Sequence, residues 1–343
     1  MSKLIYTVSL LALLTASAGA QELIVEPVDD DIIADQTVSV MEAAQAALEQ
    51  AAADLSDNLI GETLPDNDIQ PYPSSKVTTR YFGQKDSDIV SDIPYGKNDE
   101  AGKTVQADDA KIYYEVYGSG DPVLVLHGGG VGSSYEMGRF IDELSKDYQV
   151  IVPSTRGHGK SEIGTAKITY EQKANDMLAV LNDTTEQPVI VLGFSDGAYT
   201  AYKLAAMYPQ RIKKIIAIGA GEITPQTRIF PTPKVDDVIA SDEAFMRGQI
   251  DIMPQVEKLQ DYWDDYYNFY NHLTVSKETL SEVKCPVLLI SGEKDTNAPL
   301  DTIIAAYRML PKAEIAIIAD APHQVFLTNF AAVWDNIKPF LQK

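Results

Sequence analysis

The chain has 343 residues, 45% of them hydrophobic and 23% charged, which is ordinary for a globular protein and long enough for one large domain with an addition. Charge is the exception: 50 Asp and Glu against 28 Lys and Arg give a formal net charge of −22. Such a surface repels phosphate backbones and anionic lipid, which sets nucleic acid aside as a partner. The single cysteine, Cys285, excludes an internal disulfide.

In chain order the first predicted element is a leader. Lys3 supplies a positive start, Leu4 to Leu14 is an apolar stretch, and Ala18-Gly19-Ala20 puts small residues at the −3 and −1 positions of a cleavage site. The apolar stretch is short for a bilayer span, and no cysteine follows it. The sequence therefore predicts an exported protein, periplasmic or extracellular, with no stable membrane anchor.

Residues 21–70 hold thirteen Asp or Glu and no Lys or Arg, the composition of a solvated tract. Inside it Ser39 and Glu42 fit a capping box, and Met41, Ala44, Leu48, Ala51 and Leu55 follow at helical spacing, which predicts a weak helix. Pro65, Pro71 and Pro73 mark a linker. The expected division is a signal peptide over 1–20, an acidic, largely disordered extension and linker over 21–92, and a folded domain over 93–343.

From Ile93 the texture changes. Lys111 to Tyr117 alternates and is rich in aromatics, as an edge or antiparallel strand would be. Short, continuously apolar runs follow at Val123–Leu126, Val150–Val152, Val189–Leu192, Ile215–Ile218, Val287–Ile290 and Ile315–Ile318. Segments of helical length, such as Thr169–Asn182 and Ala198–Tyr208, separate most of them. Apolar strands alternating with helices predict an α/β fold: a mostly parallel sheet covered on both faces. The interval 224–284 shows no strand pattern and is too long for a plain connection, so an inserted helical lid is expected there.

Between the run Val189–Leu192 and the helix from Ala198 stands Gly193-Phe194-Ser195-Asp196-Gly197. A turn this sharp strains Ser195 and brings the chain on either side together, so the flanking positions favour glycine. It holds the Ser195 hydroxyl above the carboxyl edge of the sheet, at a helix N-terminus. Such a serine needs a base. Of four histidines, His127, His158 and His272 lie in a glycine loop, an Arg-Gly-His-Gly motif and the lid. His323 follows the late run Ile315–Ile318 in a loop able to reach back over the sheet edge. Asp295, just past Val287–Ile290, is the expected acid, giving the order Ser195, Asp295, His323. Asp301 and Asp320 are the other acids near the site in sequence. The expected oxyanion donors are the backbone N–H groups of Asp196 and Gly129, the latter in the bare loop His127-Gly128-Gly129-Gly130, with Gly128 as second choice.

These motifs carry a resemblance. Together with Arg156-Gly157-His158-Gly159-Lys160-Ser161, Gly292-Glu293-Lys294-Asp295 and Pro322-His323, they make the chain from about Ile93 onward resemble an α/β-hydrolase with a short lid. The Ser-Asp-Gly elbow is similar to that of the biphenyl-hydrolase-like group. The resemblance implies serine hydrolysis of carboxylic esters without a cofactor, and suggests that Asp196 could recognise a substrate amine. The alternative, which the residues favour slightly, is that Asp196 caps its helix and the tyrosines pack the lid. Two features depart from it: Pro153-Ser154-Thr155 stands where relatives usually have an aspartate, and the acidic extension has no counterpart.

Gly159-Lys160-Ser161 is not a phosphate-binding loop, since residue 154 is Ser where its first glycine belongs, and no dinucleotide fingerprint or metal-ligand cluster is evident. No cofactor and no metal are expected. Gly128, Phe194 and the lid residues Trp263, Tyr266 and Tyr267 are the expected substrate contacts. The acidic lid, with eleven Asp or Glu against six Lys or Arg over 224–284, points to a neutral or cationic small-molecule ester. The competing readings are a carbon–carbon bond hydrolase of dienoate-like ketones and a non-catalytic ligand-binding relative.

Overall fold

The protein is described by a computed structural model that covers residues 80–85, 90–225, 227 and 229–343. The leader, the acidic tract and the helix expected after Ser39 lie outside the described residues. Eight strands form one sheet: β1 (Gly102–Ala107), β2 (Ala110–Tyr117), β3 (Asp121–Leu126), β4 (Tyr148–Pro153), β5 (Val189–Phe194), β6 (Ile212–Ile218), β7 (Val287–Gly292) and β8 (Ala313–Ile318). Their spatial order is β1-β2-β4-β3-β5-β6-β7-β8. β1 pairs with β2, and β2 with β4, antiparallel; every later pairing is parallel. This is the mostly parallel sheet expected.

The central strands are apolar on both sides because both sides are covered. Along β3 and β5, Leu124, Leu126 and Val191 face one core with α2 (Tyr170–Thr184) and α3 (Asp196–Met207). Val123, Val125, Ile190 and Leu192 face the other, with α1 (Gly138–Leu144) and the C-terminal helix Val325–Gln342. Each fully buried side chain of this kind contributes about 1.5–3 kcal/mol. The Thr169 hydroxyl caps α2 by accepting the Gln172 amide at 3.0 Å. Pro209 follows directly on the C-cap Tyr208 of α3.

Interval 224–284 holds α4 (Val235–Ser241), α5 (Glu243–Ile250), α6 (Leu259–His272) and α7 (Lys277–Leu280), and no strand of the sheet among its described residues. An isolated bridge between Ile223 and Val275 closes its base. After β7 come α8 (Leu300–Met309), then β8 and α9, the C-terminal helix already given.

Two features differ from expectation. β1, GKTVQA, is half exposed and has no apolar run; its conformation comes from pairing with β2 along its whole length. The expected boundary at 93 is also too late. Arg80 pairs with Asp242 at 3.2 Å, the Gly83 amide donates to the same carboxylate at 2.6 Å, and Phe82 meets Phe245 edge-on at 5.7 Å. Val90 and Ser91 are buried against the domain, with the Ser91 hydroxyl donating to Asp142. Apolar and ion-pairing side chains thus draw residues 80–85 and 90–92 out of the expected linker.

Candidate active site

The carboxyl ends of β5, β7 and β8 bring the site together. Ser195, between β5 and α3, has φ 49° and ψ −114°, a left-handed backbone rarely taken by a side-chain-bearing residue. Its neighbours explain why the turn closes. A Cβ at Gly193 would come to 2.6 Å from the Gly197 carbonyl oxygen, and one at Gly197 to 2.6 Å from the carbonyl oxygens of Leu126 and His127. The Ser195 amide donates to the Ile218 carbonyl of β6 at 2.8 Å, which ties the elbow to the sheet.

His323 Nε2 lies 3.0 Å from Ser195 Oγ, and His323 Nδ1 lies 2.8 Å from Asp295 Oδ2. The other Asp295 oxygen accepts the amides of Asn297 and Ala298 at 2.8 and 2.7 Å, which fixes the carboxylate. Asp295 and His323 are both buried. Phe194 packs beneath the imidazole with ring centroids 4.9 Å apart. Asp301 instead sits in the first turn of α8, and Asp320 forms an exposed ion pair with Lys294.

The other histidines are engaged elsewhere. His127 and His158 are buried 4.9 Å apart as rings, and burial, reinforced in His127 by His158 and in His158 by Lys173, pushes them down to about 3 and about 4, so both are neutral. His272 is exposed on the lid. Arg156, of the Arg-Gly-His-Gly motif, is buried in a bidentate pair with Asp176 at 2.9 and 2.8 Å and reaches Asp109 at 2.7 Å. This motif anchors the fold.

Above Ser195 opens a cleft lined by Gly129, Gly130, Ser195, Phe230, Tyr266, Tyr267, Tyr270 and Asn297. Gly129 has no room for a side chain, because a Cβ there would overlap the Tyr266 hydroxyl. The Asp196 amide opens α3 and so has no intrahelical acceptor. The expected oxyanion donors therefore flank the nucleophile, Gly129 across the cleft and Asp196 next in the chain.

Three expected substrate contacts do not line the cleft. Gly128 is buried, its amide held by Glu136 Oε1 at 2.7 Å. Phe194 faces the core, sandwiched between His323 and Phe326. Trp263 sits a turn before Tyr267 on α6 and lines a separate small cavity behind the glycine loop, with Gly157, Met246 and Met253. Tyr266 and Tyr267 do line the cleft.

Asp196 is wholly buried and already has a cation. Lys173 Nζ lies 2.6 Å from Asp196 Oδ2, and the Tyr170 and Tyr270 hydroxyls donate to Oδ1 at 3.1 and 3.3 Å. Burial opposes ionisation of this carboxyl, but the charge and hydrogen bond of Lys173 outweigh it and hold the group below the usual carboxylate range. The carboxylate is thus committed to the protein's own lysine, which corrects the expectation that it could recognise a substrate amine. Lys173 also lies over the Tyr266 ring, 4.7 Å from its centroid. Sequence reasoning misses Lys173 and Glu136. The signal for Lys173 was a lysine on the apolar stripe Tyr170, Ala174, Met177, Leu181; a lone Glu136 offers none.

The chain matches the family model described as alpha/beta hydrolase fold over residues 121–251. It is 25% identical over 256 residues to the human protein named serine hydrolase BPHL, covering 69% of this chain and 85% of the relative. It is equally 25% identical over 266 residues to a 2-hydroxy-6-oxononadienedioate/2-hydroxy-6-oxononatrienedioate hydrolase of Paraburkholderia phymatum, covering 68% and 89%. Among solved structures, the meta-cleavage product hydrolase CumD of Pseudomonas fluorescens superposes with a TM-score of 0.61 at 19% identity, covering 71% of this chain and 99% of the other. With this sheet and this elbow, the chain has the α/β-hydrolase fold. Within that fold it is similar to serine hydrolases of the biphenyl-hydrolase-like type.

Proposed function

We propose that the protein is an exported serine hydrolase that cleaves small, uncharged carboxylic esters through an acyl-enzyme on Ser195. The observation that carries the reading is the hydrogen-bonded chain Ser195–His323–Asp295 at 3.0 and 2.8 Å, opening onto the cleft. In this mechanism His323 Nε2 takes the Ser195 proton as Oγ attacks the ester carbonyl. Asp295 keeps the other ring proton on Nδ1 and stabilises the imidazolium. The amides of Gly129 and Asp196 receive the oxyanion. Collapse expels the alcohol with the proton from His323. Water, deprotonated by the same histidine, then releases the acid.

The uncharged substrate follows from the lining. None of the described residues around the cleft is charged, and three are tyrosines. A second reading, carbon–carbon bond hydrolysis, has the Paraburkholderia relative in its favour. A dienedioate carries two carboxylates, however, and the described lining offers them no cation while the lid adds negative charge. A purely ligand-binding role would leave Ser195, His323 and Asp295 without a task.

The test is turnover of chromogenic esters of graded acyl length beside a carboxylate-bearing dienoate ketone. Ester turnover that is lost in Ser195→Ala supports the reading, and turnover of the ketone alone overturns it. Export rests on the leader and is checked by N-terminal sequencing of secreted protein, expected to begin at Gln21. Among the described residues no helix is long and apolar enough to cross a membrane.

A further inference from the structure

The loop from Gly128 to Ser133 is held by groups that the proposed chemistry does not use directly. Glu136 follows the loop in the helical turn Ser134–Met137 and is buried. Its carboxyl accepts the Gly128 amide at 2.7 Å, which fastens the start of the loop. His127 Nδ1 lies 2.6 Å from the Gly128 carbonyl oxygen. The Thr155 amide donates to His127 Nε2 at 3.0 Å, so that nitrogen is the acceptor and the ring proton sits on Nδ1, donated to Gly128.

Both polar groups of Gly128 are therefore pinned, the N–H by Glu136 and the C=O by His127. In a trans peptide the C=O and the following N–H point in opposite directions. Turning the Gly128 carbonyl toward His127 turns the Gly129 N–H away from it, and Gly129 lines the cleft together with Ser195.

We propose that Glu136 is a positioning residue for the oxyanion donor: by fixing Gly128 it aims the Gly129 amide at the reacting carbonyl before substrate arrives. This rests on the serine-hydrolase reading above. Glu136 touches neither substrate nor Ser195; it acts through the loop. A preorganised donor costs no reorganisation in the transition state, and losing one lowers turnover by about 10²–10³. A loosened donor loses part of that.

The experiment compares Glu136→Gln, which keeps a carbonyl acceptor within reach of Gly128, with Glu136→Asp, which keeps the carboxyl but withdraws the acceptor by one methylene. Steady-state kinetics on a chromogenic ester are paired with inhibition by an alkyl boronic acid, whose tetrahedral adduct occupies the oxyanion site. Glu136→Gln is expected to hold kcat within about threefold. Glu136→Asp is expected to lose about 10- to 100-fold in kcat with little change in KM, and to weaken the boronate by a similar factor. Wild-type kcat in Glu136→Asp, or a change confined to KM, would overturn the proposal. Labelling of wild-type Ser195 by a fluorophosphonate, run alongside, separates the two failures. If Ser195 is labelled and Glu136→Asp turns over normally, only the positioning role falls; if Ser195 is not labelled, the serine-hydrolase reading falls.

Discussion

Replacing Lys173 by methionine removes the cation that pairs with Asp196 while leaving the carboxylate where it is. The side chains are 5% and 1% exposed and 2.6 Å apart. Breaking such a pair from one side leaves an uncompensated buried charge, at a cost of about 3–5 kcal/mol. The Tyr170 and Tyr270 hydroxyls remain on Oδ1 and offset part of the loss. At roughly 2–4 °C per kcal/mol for a domain of this size, the midpoint of thermal unfolding falls by roughly 6–20 °C at pH 7. The sign of the pH dependence also follows. With Lys173 gone, burial outweighs the remaining tyrosine hydrogen bonds to Asp196 and lifts its folded-state affinity for the proton above that of the unfolded chain. The variant then keeps its stability at acid pH and loses it as pH rises. In Lys173→Met/Asp196→Asn the charge is absent, and the double variant melts above Lys173→Met, a coupling read from the double-mutant cycle. Scanning calorimetry with circular dichroism provides the data. A Lys173→Met protein melting within about 2 °C of wild type at pH 7 would refute the reasoning.

Three other outcomes are expected. Asp295→Asn lowers kcat by about 10⁴ because the imidazole loses the partner that fixes its tautomer, whereas Asp320→Asn, which disturbs only an exposed ion pair, changes kcat little; initial rates on one ester decide between them. Among a neutral ester and its amino- and carboxylate-bearing analogues, kcat/KM is lowest for the carboxylate, and raising the salt concentration narrows the gap as the lid's field is screened. Burial lifts the Glu136 carboxyl from its ordinary 4.5 to about 7. Its contribution to stability is therefore complete below about pH 4.5 and is lost as pH rises through 7. The difference amounts to about 3 kcal/mol, so urea midpoints of wild type and Glu136→Gln diverge between pH 5 and 8. Parallel midpoints would show that Glu136 titrates normally.

The elements of the candidate site were legible because each is a local conflict with its surroundings. A serine between glycines after a buried strand has no packing purpose, and four histidines are few enough to test one by one. The parallel sheet was legible because its central strands are apolar along their whole length. β1 was not, since it has no apolar run and the β2 ladder makes it a strand. The cleft was half legible. The aromatic run of the lid is plain in sequence, but which members face Ser195 depends on how α6 lies over the sheet. That placement brings Tyr266, Tyr267 and Tyr270 to the cleft and sends Trp263 behind the glycine loop. The fate of Asp196 was hidden for a different reason. Its partner Lys173 is 23 residues away on another helix, so a carboxylate beside the nucleophile reads as free until the fold closes on it.

The central claim, a covalent acyl-enzyme on Ser195, is tested most directly by mass spectrometry of the protein quenched during turnover of a slowly deacylated ester. The account predicts one acyl group per chain, mapped to the peptide containing Ser195, in wild type and none in Ser195→Ala. Turnover without any adduct, or an adduct that persists in Ser195→Ala, would contradict it.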